Sequence, residues 1–309
     1  MVKVLRAGVI GAGVFGGYHA AKYAALPGVT LAGVYDHHPV HAEALAGRCG
    51  GQVFASEAEL IAAVDIVSIA TPALAHAETA LAALAAGKPV YVEKPLATSP
   101  DDAARIAELA QRHGLVVACG FLERAGMAAM GLFDIPEAPT RLEAVRLGPS
   151  SPRNLDVSVV LDLMIHDLDL ALALSPSDPA MVEADGARLA NNTLDRVDAE
   201  VEFDDGFVAR FRASRVAETR ERTMRIVYPS GEVRVDFLTH AFENTTPFAL
   251  DPNFEDAPAA RDKLGASLSA FVAAVRGEAA GPLAGVRDGA RSLDLALAIE
   301  QAMVQQGLV

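Results

Sequence analysis

Three polar side chains are spaced so that they share one face of an apolar helix. Asp162 and His166 are four residues apart, and Asp169 follows three residues later. Side chains three or four positions apart are neighbours on an α-helix, and polar groups on a partly buried face need partners or a function. Two interpretations stay open on spacing alone. The face is a proton-transfer site, or His166 is a hydrogen-bonded core histidine and Asp162 a helix cap.

A glycine-rich turn near the N-terminus has the spacing of a dinucleotide-binding loop. Gly11, Gly13 and Gly16 form G-x-G-x-x-G after an apolar strand and before a helix, with Val14 and Phe15 between the last two glycines. Gly11 permits the tight turn, Gly13 lets the backbone approach a pyrophosphate at the helix N-terminus, and Gly16 allows close helix–strand packing. The alternative is a glycine turn without a ligand. The surrounding strand and helix favour a Rossmann fingerprint.

Asp36 comes twenty residues after Gly16, at the end of the second predicted strand. A carboxylate there accepts hydrogen bonds from the adenosine ribose and repels a 2′-phosphate, so NAD is favoured and NADP remains possible. His37 and His38 follow directly, and a protonated imidazole beside the ribose would tolerate a phosphate. With His41 they form a small cluster, but the loop offers no thiol and no carboxylate besides Asp36. We therefore expect no metal site.

Lys94 lies in Glu93-Lys94-Pro95, at the end of a predicted strand Val90–Glu93. The carboxyl ends of parallel strands line the ligand crevice, so we expect Lys94 near the nicotinamide. A surface lysine in a turn is the alternative.

The elements around these residues change in kind near residue 120. Before it, short apolar strands alternate with helices, which predicts parallel βαβ units. After it, one helix over Val159–Leu174 is followed by alternating strands paired through hairpin turns, with two further helices over Arg261–Val275 and Val286–Gln305. The sequence thus predicts an α/β protein with a Rossmann domain over 1–120. An α+β domain with an open, mainly antiparallel sheet is predicted over 121–309.

Charge and composition exclude several classes of protein. The 309 residues include 26 Lys and Arg against 40 Asp and Glu, a net charge of −14. Such a chain is unsuited to nucleic acid or to anionic membranes, which both need basic surfaces. Two cysteines exclude a disulfide scaffold. With no export signal or apolar span, the expected location is the cytoplasm.

Taken together, the motifs resemble the Gfo/Idh/MocA family of sugar and cyclitol oxidoreductases over essentially the whole chain. The resemblance is carried by the glycine turn, by Thr71-Pro72 with His76, by Glu93-Lys94-Pro95, and by Asp162-x-x-x-His166. It implies that Lys94 orients the reacting hydroxyl, that His166 is the general acid/base, and that Asp162 hydrogen-bonds the substrate or the relay. An imidazole that titrates near neutral pH suits removal of a hydroxyl proton, and a lysine ammonium stabilises the developing alkoxide.

The resemblance and the fingerprint together give the expected cofactor residues: Gly11, Gly13, Val14, Phe15, Gly16, Asp36, His37, Thr71, Pro72, His76, Glu93 and Lys94.

The residues just before Asp162, Val159 to Leu161, and those around Arg124 differ from the usual family motifs. Near Arg146 and Arg153 it resembles the branch that contains UDP-N-acetylglucosamine 3-dehydrogenases, where an arginine could pair with a diphosphate. Solvated arginines in a loop are the alternative. Arg124, Arg146, Arg153 and Asp169 are the candidate substrate residues.

The sequence therefore predicts an NAD(P)-dependent oxidoreductase that acts on a secondary hydroxyl of a sugar, cyclitol or nucleotide-sugar. The alternatives are a non-catalytic dinucleotide-binding regulator and a glycoside-cleaving enzyme that uses transient oxidation. An exposed sheet face of the kind predicted for the second domain is usually buried against another subunit, so we expect a homodimer or homotetramer.

Overall fold

The computed structural model describes residues 3–151 and 156–305. Its first half is a six-stranded sheet in which every neighbouring pair of strands is parallel, in the order β3-β2-β1-β4-β5-β6. The elements are β1 (Leu5–Ile10), α1 (Val14–Ala25), β2 (Val29–Tyr35), α2 (Pro39–Cys49), β3 (Gln52–Val53), α3 (Glu57–Ala63), β4 (Ile66–Ile69), α4 (His76–Ala85), β5 (Val90–Val92), α5 (Pro100–His113) and β6 (Val117–Cys119). The strand order reverses between β1 and β4, the place where open α/β sheets bind ligands.

Local sequence explains how these elements begin and end. The Ser99 hydroxyl accepts a hydrogen bond from the Asp102 N–H at the start of α5, and Gly114 ends the helix in the left-handed conformation. All four residues of β4 and all three of β5 are buried, which is why neither strand alternates apolar with exposed polar residues.

The second half contains a seven-stranded sheet in the order β13-β12-β11-β7-β10-β9-β8. Its pairs are antiparallel except for β7 with β10, which is parallel. The elements are α6 (Glu123–Met130), β7 (Arg141–Leu147), a π-helical turn (Val160–Met164), α7 (Ile165–Leu174), β8 (Pro179–Ala187), β9 (Arg196–Phe203), β10 (Val208–Ser214), β11 (Glu221–Tyr228), β12 (Gly231–Asp236), β13 (Phe242–Asn244), α8 (Pro258–Arg261), α9 (Lys263–Val275) and α10 (Val286–Gln305). The mainly antiparallel sheet predicted from the sequence is confirmed.

The chain divides into two compact units. The first comprises residues 1–125 and 262–290, and the second comprises 126–261 and 291–309. Leu264, Leu268 and Phe271 of α9 therefore join the apolar core of the parallel sheet. None of the helices within the described ranges is long and apolar enough to cross a membrane.

Some elements differ from the sequence prediction. The sequence predicts the first helix over His19–Leu26, whereas α1 begins at Val14. Gly16 lies in its first turn, where a Cβ would be 1.8 Å from the Gly11 carbonyl oxygen. The sequence analysis did not identify β3, α3, α6 or β8. Strand β8 is an edge strand with a proline, a glycine and mostly accessible side chains, so its apolar alternation is weak.

Candidate active site

The glycine turn joins β1 to α1 and leaves backbone N–H groups available for a ligand. Gly11 has φ of +94°, and a Cβ there would lie 2.6 Å from the Ala70 carbonyl, so only glycine fits. Gly13 precedes the first residue of α1, with no side chain capping the helix and open space where its Cβ would be. Gly13, Val14 and Phe15 are all exposed. An uncapped helix N-terminus with room above it fits a pyrophosphate.

Asp36 follows β2 directly, and its carboxylate faces the glycine turn. One oxygen accepts a hydrogen bond from the Ala12 N–H at 2.7 Å, and the other accepts from the His38 N–H at 2.8 Å. Burial raises the pKa of Asp36, but these two N–H groups and the charges of His41 and His37 together outweigh burial and hold the pKa below its ordinary value. Asp36 is therefore a carboxylate at neutral pH, beside the loop expected to hold the dinucleotide.

The imidazoles after Asp36 lie against one another. The ring centroids of His37 and His38 are 4.2 Å apart, and those of His38 and His41 are 5.2 Å apart. His41 Nδ1 is 3.6 Å from the nearer Asp36 oxygen. Within the described ranges, no group of three or more His, Cys, Asp or Glu is arranged to hold a metal ion.

Lys94 is accessible in an otherwise buried segment. Glu93 and Pro95 to Ala97 are buried, whereas Lys94 is half-buried. The Lys94–Pro95 peptide bond is cis. Lys94 thus lies one residue beyond Glu93, at the carboxyl end of β5, on the side of the sheet where its sequence position predicted it.

His76 begins α4 and is 2 % exposed. Its Nδ1 lies 2.7 Å from the Pro95 carbonyl oxygen and its Nε2 lies 2.9 Å from the Thr71 carbonyl oxygen. Thr71 is half-buried and Pro72 is exposed. Both ring nitrogens of His76 thus face the protein's own backbone.

In the second unit, the π-helical turn and α7 place two ionisable side chains on the accessible side of a buried segment. From Val157 to Leu172 every residue is buried except Asp162, Leu163 and His166, which are half-buried. Asp162 lies within the π turn, and its N–H donates to the Ser158 carbonyl at 2.9 Å. Such turns are rare and often occur at functional sites.

Two other acidic residues of α7 have partners inside the second unit. Asp167 accepts two hydrogen bonds from Arg146, at 2.9 and 2.8 Å, and both residues are buried. Asp169 is fully buried, with the Ser292 hydroxyl 3.4 Å away. Arg146 and Asp169, both candidate substrate residues, are thus packed within the protein.

The other two candidate substrate residues are Arg124 and Arg153. Arg124 belongs to the first unit, where it lies 3.0 Å from Asp288 and donates to the Leu283 carbonyl at 3.1 Å. Arg153 is outside the described residues.

Arg215 is a charged residue near Asp162 that the sequence analysis did not identify. It is 4 % exposed and donates to the carbonyls of Val157 and Leu194, at 2.6 and 3.0 Å. Burial lowers its pKa, while the charges of Asp162 and Asp195 act in the opposite direction. A cation immediately after β10 was the only available signal in the sequence. The Arg215 guanidinium places its positive charge within electrostatic range of Asp162.

The chain matches two models of one protein family. Residues 5–121 match the model described as an oxidoreductase family with an NAD-binding Rossmann fold, and residues 148–234 match the model of the GFO/IDH/MocA C-terminal domain.

Among characterised proteins, a UDP-N-acetylglucosamine 3-dehydrogenase from Acidithiobacillus ferrooxidans is 37 % identical, over 96 % of this chain and 97 % of that protein. Its solved structure superposes with a TM-score of 0.90, covering 98 % of each chain. An inositol 2-dehydrogenase from Cereibacter sphaeroides is 35 % identical over 54 % of this chain and 52 % of its own length.

Proposed function

The chain belongs to the Gfo/Idh/MocA family of NAD-binding oxidoreductases, and we propose that it oxidises the 3-hydroxyl of UDP-N-acetylglucosamine. The family identifies an NAD-dependent enzyme that acts on a sugar or cyclitol CH–OH group. The nucleotide-sugar is proposed because the relative named for that substrate aligns over 97 % of its length, whereas the inositol dehydrogenase aligns over 52 %.

The residues of the first unit fit the cofactor. Gly13 leaves space over an uncapped helix start, where the pyrophosphate would be bound by backbone N–H groups. Asp36 would accept hydrogen bonds from the adenosine ribose, and its charge opposes the extra phosphate of NADP. When bound, NAD supplies the hydride acceptor. The protein's task is then to bind the alcohol and to remove its proton.

We propose that His166 removes the proton of the alcohol. Asp162 and His166 are the accessible ionisable side chains in the segment from Val157 to Leu172, and this observation carries the mechanistic proposal. The imidazole accepts the hydroxyl proton during oxidation and returns it during reduction. Lys94, accessible among buried neighbours, stabilises the developing alkoxide through its ammonium group. Asp162 orients the substrate or the His166 ring.

The function is tested by mixing the protein with NAD and UDP-N-acetylglucosamine and following NADH absorbance. UDP-glucose and myo-inositol serve as comparison substrates, and mass spectrometry of the product should show loss of two hydrogens. We expect turnover with UDP-N-acetylglucosamine to exceed that with either comparison substrate. Faster turnover of myo-inositol would contradict the substrate assignment while leaving the reaction class intact.

His166→Ala tests the mechanism in the same assay. It should lower kcat about a hundredfold to ten-thousandfold, the usual contribution of general acid–base catalysis, with NAD binding retained. His113→Ala removes an exposed histidine at the end of α5 and is the matched control. Parental turnover by a folded His166→Ala protein would remove His166 from the mechanism.

We further propose a homodimer or homotetramer joined through the second sheet, and a cytoplasmic location. The first proposal is supported by strands such as β9, in which buried apolar residues alternate with accessible charged ones. One face of the sheet therefore remains accessible for a second copy of the chain. The second is supported by the free cysteines Cys49 and Cys119, which suit a reducing compartment.

A further inference from the structure

The Glu93 carboxylate is buried immediately beside Lys94 in the chain. Glu93 is 7 % exposed, and a Cβ on Gly120 would lie 2.8 Å from one of its oxygens, so the carboxylate lies close against backbone. Burial raises its pKa, but the hydrogen bond and charge of His19, with smaller contributions from Lys94 and His76, together outweigh that effect and keep the pKa below its ordinary value. A buried carboxylate is costly unless it has partners, and the His19 ring nitrogen 2.9 Å away is its hydrogen-bonding partner.

His19 connects Glu93 to the interior of the first unit. Its Nε2 lies 2.9 Å from the Glu93 carboxylate and its Nδ1 lies 3.0 Å from the Ser68 hydroxyl, which is 2.8 Å from the Tyr23 hydroxyl. His19, Ser68 and Tyr23 are all 0 % exposed. The chain of contacts spans α1, β4 and the end of β5, so it ties Glu93 to two neighbouring elements.

His76 holds the other side of the same turn. A carbonyl oxygen only accepts hydrogen bonds, so a neutral ring with one N–H can donate to either Pro95 or Thr71 but not to both. Burial lowers the pKa of His76, which favours the neutral ring. The contact to Pro95 is the shorter of the two, 2.7 against 2.9 Å. We therefore place the proton on Nδ1, donating to Pro95.

We propose that His19 and His76 are positioning residues that fix Lys94 from both sides, through Glu93 before it and Pro95 after it. The inference rests on the role proposed above for Lys94, and it gives His76 a backbone-holding role in place of direct contact with the cofactor. The two histidines come from α1 and α4, so the turn is held from two helices. Lys94 itself stays accessible to substrate while its neighbours are fixed.

The two nitrogens of each ring can be replaced separately. An asparagine amide reaches roughly to the position of Nδ1, and a glutamine amide reaches roughly to that of Nε2. His19→Gln therefore keeps the donor to Glu93, while His19→Asn keeps only the contact to Ser68. At His76 the order is reversed, because Asn keeps the donor to Pro95, whereas the Gln amide reaches only toward the Thr71 carbonyl.

The experiment measures kcat with UDP-N-acetylglucosamine and NAD for the four single variants. We expect His19→Gln and His76→Asn to retain most of the parental kcat. His19→Asn and His76→Gln should lower it about tenfold to a hundredfold, as expected when a catalytic group is misplaced by a fraction of an ångström to an ångström. A general effect of Asn or Gln on helix stability cannot produce this crossed order, because it would act in the same direction at both positions.

A second measurement does not depend on turnover. An acylating reagent is applied to each full-length variant, and modification of Lys94 is followed by peptide mass spectrometry. Lys3, whose side chain is 75 % exposed, is the internal reference. We expect the Lys94 rate relative to Lys3 to stay at the parental value in His19→Gln and His76→Asn and to change severalfold in His19→Asn and His76→Gln.

Lys94→Ala separates this inference from the proposed function. Parental kcat in that variant would refute the catalytic role of Lys94, while the modification rates would still decide whether the histidines position it. If Lys94→Ala lowers kcat as proposed, adding His19→Asn should lower it no further, because both changes remove one contribution. The positioning role would be overturned if Asn and Gln lowered kcat equally at both positions and the Lys94 modification rate stayed at the parental value.

Discussion

Asp36 is held by two backbone N–H groups before any cofactor binds. Its contacts with Ala12 and His38, at 2.7 and 2.8 Å, orient the carboxylate and depress its pKa. The group therefore brings a fixed negative charge to the loop at neutral pH. A ribose hydroxyl can still donate to its remaining lone pairs, whereas a 2′-phosphate would be repelled.

We predict that Asp36→Ser lowers NAD affinity and raises NADP affinity relative to NAD, because the repelling charge is removed while His37, His38 and His41 remain. Affinities are measured by titration of each reduced cofactor, followed by its fluorescence. Asp101→Ser, at the exposed start of α5, is the control and should leave the ratio unchanged. If the parental protein binds NADP at least as tightly as NAD, Asp36 is not the discriminating residue.

At the scale of elements, the segment that carries Asp162 and His166 is held by an ion pair at its centre. Arg146 of β7 donates two hydrogen bonds to Asp167 of α7, and their side chains are 4 % and 6 % exposed. Asp167 follows His166 directly. A paired guanidinium and carboxylate at this depth thus connect the sheet of the second unit to the helix of the proposed general base.

We predict that Arg146→Ala lowers the free energy of unfolding by about 3–5 kcal/mol, because it leaves the Asp167 carboxylate buried without its partner. Urea unfolding measures the change. Arg105→Ala is the control: its pair with Asp102 is surface-exposed and should contribute less than about 1 kcal/mol. A small effect of Arg146→Ala, with kcat for UDP-N-acetylglucosamine strongly reduced, would instead favour a direct role of Arg146 in substrate binding.

At the scale of the whole molecule, the accessible face of the second sheet carries charged side chains in pairs. Arg210 of β10 pairs with Glu200 of β9, and Arg212 with Asp198 beside it. This face is charged rather than apolar, so an interface formed on it would depend on charge complementarity as well as on buried area.

We predict a mass by light scattering that is two or four times that of one chain, and a decrease in that mass for Arg210→Glu, which places like charges opposite each other on β9 and β10. Arg112→Glu, on the exposed side of α5, should leave the mass unchanged. A single-chain mass for the parental protein at micromolar concentration would exclude the proposed assembly.

Sequence alone determined the fold class and the family, because both depend on short-range patterns. Glycines at fixed spacing between a strand and a helix, a switch from buried strands with helices to alternating strands, and two local motifs were sufficient to identify the family. The family models confirm that resemblance. Asp162, His166 and Lys94 were selected by the same local patterns, and their catalytic roles stay predictions.

The tertiary structure decided which polar residues are accessible and which are held inside the protein. Arg146 and His76 stay predicted ligand residues, and the structure adds their partners within the protein, which are Asp167 and two backbone carbonyls. The contacts of His19 with Glu93 join residues 74 apart in the chain, and those of Arg215 with Val157 join residues 58 apart. Such pairs leave no periodic signal in the sequence, because burial of a charge is made tolerable by partners that only the folded chain brings within hydrogen-bonding distance.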